Sequence, residues 1–241
     1  MNEARSEYLN ADTQHAIYES LETLSQAPAY YRWLCSQVRP FIRGKTLELG
    51  AGIGNFGRWA SEFASEYHAT DVDPLLVERL KQDFPKAFRW DLFEPFPGDD
   101  LYDTVIILNV IEHLQDDVGA MQALIERLKP GGHLIVMVPA MHILYGSLDR
   151  AFGHYRRYHK SEMLRLMKHV QLDVVRNVYV NVAGMLGWFI YGRILKHQQL
   201  PQQLCSRFNL VLPLLKLERP FAHFAGLSLI TVGQKCTPKP K

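Results

Sequence analysis

The sequence predicts an α/β fold, a doubly wound domain built on a mostly parallel sheet. Three observations carry this reading. Strand-like and helix-like segments alternate at roughly 20–30 residue intervals. LELGAGIGNFG runs an apolar strand into glycines. YDTVIILN is a nearly continuous apolar run, the pattern of a central strand covered on both faces.

The elements follow in order. Two helical patterns, Thr13–Leu24 and Ala29–Val38, precede Pro40, and KTLELG is the first strand. Asn55–Tyr67 reads as a helix and HATDVD as the second strand, with Pro74 at the favoured first position of the next helix. AFRWD is the third strand and YDTVIILN the fourth. Gln115–Leu128 is an amphipathic helix closed by KPGG, and HLIVMVP is the fifth strand. Beyond Pro139 the rhythm changes. MHILYGSLDRAFGHYRRYHK reads as an aromatic, basic loop or irregular lid, and Ser161–Val170 as a helix with Ser161 as its N-cap. LDVVRNVYV is strand-like, residues 182–224 read as helical, apolar and basic, and GLSLITVGQK is the last strand.

Composition bounds the function. The chain has 241 residues, 47% hydrophobic and 22% charged, which suits one globular domain with an insertion. Cys35, Cys205 and Cys236 form no CxxC pair, so neither a disulfide framework nor a zinc site is expected, and a reducing, cytoplasmic setting fits. The polar, acidic start MNEARSEYLN does not read as a secretory signal. The formal charge of +2 hides an asymmetry. Residues 1–149 hold 22 acidic against 12 basic side chains, and residues 150–241 hold 3 against 15. Either the two halves attract each other and present solvated faces, or the basic half meets an anionic partner.

The glycine loop narrows the ligand. Gly50, Gly52 and Gly54 allow backbone to pass close to a bound group. Gly52 to Gly57 also fits GxGxxG with Asp71 about 20 residues on, the dinucleotide fingerprint. Acidic residues at three strand ends decide between ligands. Glu48, just before the glycines, suits a cationic amino group and is poorly placed beside pyrophosphate. Asp71 ends the second strand and can accept from both ribose hydroxyls, with Asp73 as its competitor. Asp91 ends the third strand, where it can accept from an adenine amino group while Leu92 packs on the ring.

LELGAGIG, TDVD, WDLF, YDTVIILNVIEHL and LKPGGHLIVMVP, in that order, resemble the class I S-adenosylmethionine-dependent methyltransferases over about residues 45–139. The resemblance implies a Rossmann-like, seven-stranded sheet whose last strand runs antiparallel. It also implies S-adenosylmethionine as cofactor, held by Glu48, Gly50, Gly52, Gly54, Asp71, Asp91, Leu92 and the strand-end pair Leu108 and Asn109. The flanks AYYRWL and GHYRRYHKSEML resemble bacterial methyltransferases often encoded beside glycosyltransferases. In such enzymes the N-terminal helices cover the cofactor, which makes Tyr30 or Tyr31 either a lid contact or ordinary packing. One domain is therefore expected: a helical lid over 1–44, a cofactor-binding core over 45–139, and an acceptor-side lid, helical insertion and final strands over 140–241.

Methyl transfer is an in-line displacement, for which alignment supplies most of the catalysis. A general base matters when the acceptor is a hydroxyl. His113, in NVIEHL after the fourth strand, is the first candidate; its alternative is to pair with Glu112 or cap the next helix. His154, Tyr155, Arg156, Arg157 and Tyr158 form the densest polar and aromatic cluster. His154 is the second catalytic candidate and the other four are candidates for binding the acceptor. Of the two adjacent arginines, one is expected to serve the fold and the other the acceptor, by its bidentate fork. The ten histidines show no metal-ligand spacing, so no metal is expected.

Val178–Leu195 approaches the length of a membrane span, but Asn181, Ala183, Gly184, Gly187, Gly192 and Arg193 interrupt it. It reads either as packing in a cap over the acceptor or as an apolar face in a membrane interface, with Arg193 and Lys196 reaching headgroups. Both favour an apolar small molecule or lipid-linked acceptor, methylated at oxygen. Peripheral contact with an inner membrane face goes with the second, and oligomeric state is left open. A nicotinamide-dependent oxidoreductase is disfavoured by Glu48, by Asp91 and by the lack of a Tyr-xxx-Lys pair after the fifth strand. Nucleic-acid methylation is disfavoured because NVIE stands where an NPPY-type tetrapeptide would. A methyltransferase-like module without turnover is the third alternative.

Overall fold

The computed structural model describes residues 11–199 and 222–237. Seven strands make one sheet: β1 (Lys45–Leu49), β2 (Glu66–Asp71), β3 (Phe88–Arg89), β4 (Tyr102–Leu108), β5 (Leu128–Pro139), β6 (Leu172–Val180) and β7 (Ser228–Lys235). Their spatial order is β3-β2-β1-β4-β5-β7-β6. β3 to β5 pair in parallel, whereas β7 inserts antiparallel between β5 and β6. The reversed last strand is the one the sequence led us to expect.

Alternation along the central strands explains why they are apolar throughout. Val105, Ile107, Leu134 and Val136 pack on one face with Met121 and Leu124 of helix α5 (Asp117–Glu126) and Met163 and Met167 of α7 (Lys160–His169). Ile106, Ile135, Met137, Ile230 and Val232 pack on the other with Leu34 and Val38 of α2 (Pro28–Val38) and Leu80 of α4 (Pro74–Asp83). Each fully buried side chain of this size contributes about 1.5–3 kcal/mol. With both faces covered, the free edge for a ligand is the carboxyl end of the parallel strands.

Helix α1 (Ala11–Ser25) lies over that end. Leu21 meets the glycine loop: its carbonyl accepts from Asn55 Nδ2 at 3.0 Å, and its side chain is 3.0 Å from where a Gly52 Cβ would stand. Tyr18 donates to Asp73, and Arg79 pairs with Glu22, so α1 is tied to α4.

Three local expectations are corrected. Asn55–Tyr67 is not one helix: α3 (Gly57–Ala60) and a 3-10 turn (Ser61–Phe63) end where Ser65 N–H donates to the Gly44 carbonyl at 2.9 Å, drawing Tyr67 into β2. KPGG belongs to β5 rather than ending the helix before it. His159, not Ser161, is the N-cap of α7; its backbone N–H donates to the Glu162 carboxylate at 2.7 Å. The segment after Pro139 is an irregular lid containing α6 (Ser147–Ala151). Within Val178–Leu195, Asn181 takes a left-handed conformation (φ 61°) and its side chain caps α8 (Val182–Phe189), which continues as a π-helical turn (Ile190–Ile194). No helix among the described residues is long and apolar enough to cross a membrane. The part of the expected helical insertion over residues 200–221 lies outside the described residues.

Candidate active site

A cavity of about 580 Å³ opens at the carboxyl ends of β1, β2 and β4 under α1 and α8. At one end it is lined by Glu48, Gly50, Gly52, Asp71, Asp91, Leu92, Leu108 and Asn109, all of them anticipated from sequence. Gly54 is the exception. It packs away from the cavity, where an added Cβ would stand 2.7 Å from the Phe84 ring. Gly50 and Gly52 hold φ of 67° and 59°, which a side chain would strain, and the backbone therefore passes close to the cavity without a Cβ in the way.

No basic side chain among the described residues pairs with the carboxylates here. Glu48 is buried, and the Tyr67 hydroxyl donates to its carboxylate at 2.7 Å. Burial pushes the Glu48 carboxyl up to about 8; the Tyr67 hydrogen bond opposes this and the Asp71 charge adds to it. Asp71 accepts from the backbone N–H groups of Gly52 at 2.9 Å and Asp73 at 3.1 Å. Burial raises its carboxyl, with those hydrogen bonds opposing. Asp73 is used elsewhere, as the N-cap of α4 accepting from Leu75 N–H at 2.8 Å, so Asp71 holds the cavity position. Asp91 lies two residues beyond the short β3 and accepts from Phe93 N–H at 3.0 Å. Tyr30 and Tyr31 both line the cavity from α2.

The other end is lined by His113, His154, Arg157, Leu148, Phe152 and Trp188. Buried behind that wall and holding it together is Asp149, which sequence reasoning missed. The carboxylate accepts from Arg157 Nε at 2.7 Å and Nη2 at 3.2 Å, from Gly146 N–H at 2.9 Å and from Trp188 Nε1 at 3.2 Å, and His154 Nδ1 lies 2.9 Å away. Burial would raise this carboxyl, but the His154 hydrogen bond and the Arg157 charge hold it below its ordinary value. His113 stands edge-on to His154 with ring centroids 4.8 Å apart. Burial, then the neighbouring His154, pushes its imidazole down to about 3, so it is neutral. Beside them Glu112 is fully buried, and burial pushes its carboxyl up to about 8 against a backbone hydrogen bond and the Arg157 charge.

The predicted acceptor cluster divides. Arg157 reaches the cavity wall, but its guanidinium is spent on Asp149 and the Ala140 carbonyl, which makes it the arginine that serves the fold. Arg156 turns outward to Asp117 and the Gln115 carbonyl, Tyr155 is exposed beside Gln115, and Tyr158 donates to Asp117. None of Tyr155, Arg156 and Tyr158 lines the cavity. The only sequence sign of Asp149 was an acidic residue in a basic, aromatic stretch.

A doubly wound sheet with a reversed penultimate-position strand, a glycine loop after β1 and carboxylates near the end of β1, at the end of β2 and just past β3 frames a site suited to a cationic ligand at its switch point. The chain belongs to the methyltransferase domain family, matched over residues 18–177. The residues fit the family's cofactor, S-adenosylmethionine: the cradle at Gly50 and Gly52 is one a Cβ would obstruct, and Glu48 is a buried carboxylate that faces no cation among the described residues. A highly reducing polyketide synthase of Emericella nidulans is 30% identical over 118 residues, 39% of this chain but 4% of the synthase. A SAM-dependent methyltransferase from Archaeoglobus fulgidus superposes with TM-score 0.60 at 16% identity, covering 86% of this chain and 94% of that one. One from Mesorhizobium loti gives 0.56 at 16% identity, covering 85% and 98%. These structures share the fold.

Proposed function

We propose that this methyltransferase moves the methyl group of S-adenosylmethionine to an oxygen of an apolar small-molecule or lipid-linked acceptor. The observation that carries the reading is the continuity of one cavity from Glu48 and Asp71 to His113 and His154. When bound, the cofactor supplies a methyl carbon already activated by its sulfonium. Glu48 meets the amino group, Asp71 the ribose and Asp91 with Leu92 the adenine. Leu148, Phe152, Trp188 and Tyr191 wall the acceptor end and exclude water, which favours an apolar body. The neutral His113 imidazole offers a hydrogen-bond acceptor to a hydroxyl brought against that wall.

Exposed Leu186, Ile194 and Leu195 beside Arg193 and Lys196 support a lipid-linked acceptor met at an anionic surface. The test is a panel of hydroxylated apolar and lipid-linked acceptors, read by adenosylhomocysteine release. His113→Ala is expected to leave cofactor binding intact while turnover falls by about 10²–10⁴. Full activity in that variant would remove His113 from the chemistry, and release only with small, wholly polar acceptors would remove the apolar assignment.

A further inference from the structure

Behind the acceptor end of the cavity, the fold assembles a donor set that the sequence keeps 40 residues apart. Glu112 lies in the 3-10 turn Ile111–His113 that follows β4. Its side chain is fully buried, and among the described residues no other residue donates a hydrogen bond to either carboxylate oxygen. The turn is pinned by Tyr155 N–H, which donates to the Glu112 carbonyl at 2.8 Å, so the lid segment closes on it in a fixed register.

His154 faces this carboxylate with Nε2, 4.0 Å from Glu112 Oε1. Its other nitrogen, Nδ1, is 2.9 Å from Asp149 Oδ1, and Asp149 is itself locked by Arg157. A carboxylate at Nδ1 takes the proton on that side, which leaves the Nε2 lone pair directed toward Glu112. Carboxylate, histidine and a third group in line is how metal-binding imidazoles are oriented. His113 completes the set: its Nδ1 is buried without a partner, and one donor atom from each of Glu112, His113 and His154 lies within 4.8 Å of the others. Two ligands of one ion at ordinary bond lengths stand roughly 3–4.3 Å apart, so the His154 to Glu112 spacing already fits and the remainder needs only a small inward shift.

We propose that Glu112, His113 and His154 bind one divalent transition-metal ion of the zinc type, with Asp149 orienting His154 from behind. Two imidazoles and one carboxylate are a nitrogen-rich set that favours such an ion over magnesium or calcium. The ion also answers why a fully buried acid is kept here with no donor from another residue among those described. Both histidines line the cavity and Glu112 does not, so an open coordination position faces the acceptor. That last consequence rests on the function proposed above: with the His113 lone pair held by the ion, the ion would take over the contact with the acceptor and select those with a hydroxyl, or two neighbouring oxygens, to present to the methyl group.

The experiment uses the full chain freed of metal with a chelator. Zinc chloride is titrated by calorimetry, and cobalt(II) binding is followed by its visible absorption bands. One ion per chain is expected. Glu112→Gln and His154→Ala should each weaken zinc at least about tenfold and alter the cobalt bands. His142→Ala, which removes an exposed imidazole paired with Glu162, should change neither. Glu112→Gln keeps the side chain's shape, so it reads the site even if His154→Ala unfolds. Equal zinc affinity in wild type and Glu112→Gln, or loss of the ion in His142→Ala, overturns the proposal. Adenosylmethionine binding on the same samples separates the two readings: zinc bound with no cofactor bound would sink the methyl-transfer function and leave the metal site standing.

Discussion

The two ends of one cavity handle buried charge in opposite ways. At the cofactor end, Glu48 and Asp71 are carboxylates supported by a tyrosine hydroxyl and by backbone N–H groups, with no basic side chain beside them. At the acceptor end, Asp149 is neutralised within the fold by Arg157 and His154. The chain itself supplies the compensating positive charge in the second case; in the first, the proposed function assigns it to the ligand. The Asp149 side of the acceptor wall thus stands ready-made without a ligand.

The sharpest break in this comparison is Asp149→Ala. Removing one partner of a buried ion pair leaves Arg157 charged and uncompensated, which costs about 3–5 kcal/mol. Chemical denaturation should show that loss, together with release of Trp188. Asp71→Ala, by contrast, should act mainly on the ligand. It removes one acceptor of ribose hydroxyls and frees two backbone donors, and each charged hydrogen bond is worth about 1.5–3 kcal/mol. Calorimetry should show adenosylmethionine affinity reduced about a hundredfold. A stability loss as large as that of Asp149→Ala would erase the distinction between the two ends.

Much of the cofactor end was legible because it is local. Glu48 near the end of β1, Asp71 at the end of β2 and Asp91 two residues past β3 all sit at the carboxyl ends of strands, so the strand pattern brought them to one edge of the sheet. Their backbone supports come from the same turns, as Gly52 and Asp73 do for Asp71. The acceptor wall was legible only as a composition. Its residues come from the turn after β4, from α6, from the following loop and from α8, and only tertiary packing decides which side chains turn inward. Arg156 and Arg157 are adjacent in sequence, yet one faces solvent and the other is buried. Gly54 failed for a related reason: three glycines at alternate positions look equivalent, but the third serves helix packing against Phe84.

A third prediction sharpens the comparison by pH. Glu48 has a folded carboxyl near 8, raised by burial, against an ordinary 4.5. A raised carboxylate binds more protons folded than unfolded, so it lowers stability as pH climbs from about 4.5 to 8. The groups facing it are Tyr67, Asp71 and Cys35, none of which supplies a positive charge. A cationic ligand favours the ionised form, so cofactor binding expels a proton below about pH 8. Affinity for adenosylmethionine should therefore rise about tenfold from pH 6 to 7.5 and flatten where the ligand's own amino group loses its proton. Calorimetry in buffers of different ionisation enthalpy counts the proton. Glu48→Gln should bind more weakly and abolish the slope; a slope unchanged in that variant would place the titrating group elsewhere.

The smallest expected effect concerns the outside of the acceptor wall. Leu186 is 67% exposed and Ile194 60% exposed, on elements whose inner faces line the cavity at Gly187 and Tyr191. If the acceptor is lipid-linked, this surface enters the membrane interface and Arg193 and Lys196 meet anionic headgroups. Fully burying a leucine is worth about 1.5–3 kcal/mol, and a partial insertion contributes less. Each basic residue adds about 1 kcal/mol near such a surface. Leu186→Ser should accordingly lower flotation with anionic vesicles about fivefold at low salt, with cofactor affinity unchanged. Raising the salt should weaken the wild type by screening Arg193 and Lys196 while leaving the apolar share intact. Wild-type protein that fails to float at low salt would confine the apolar acceptor to a soluble small molecule.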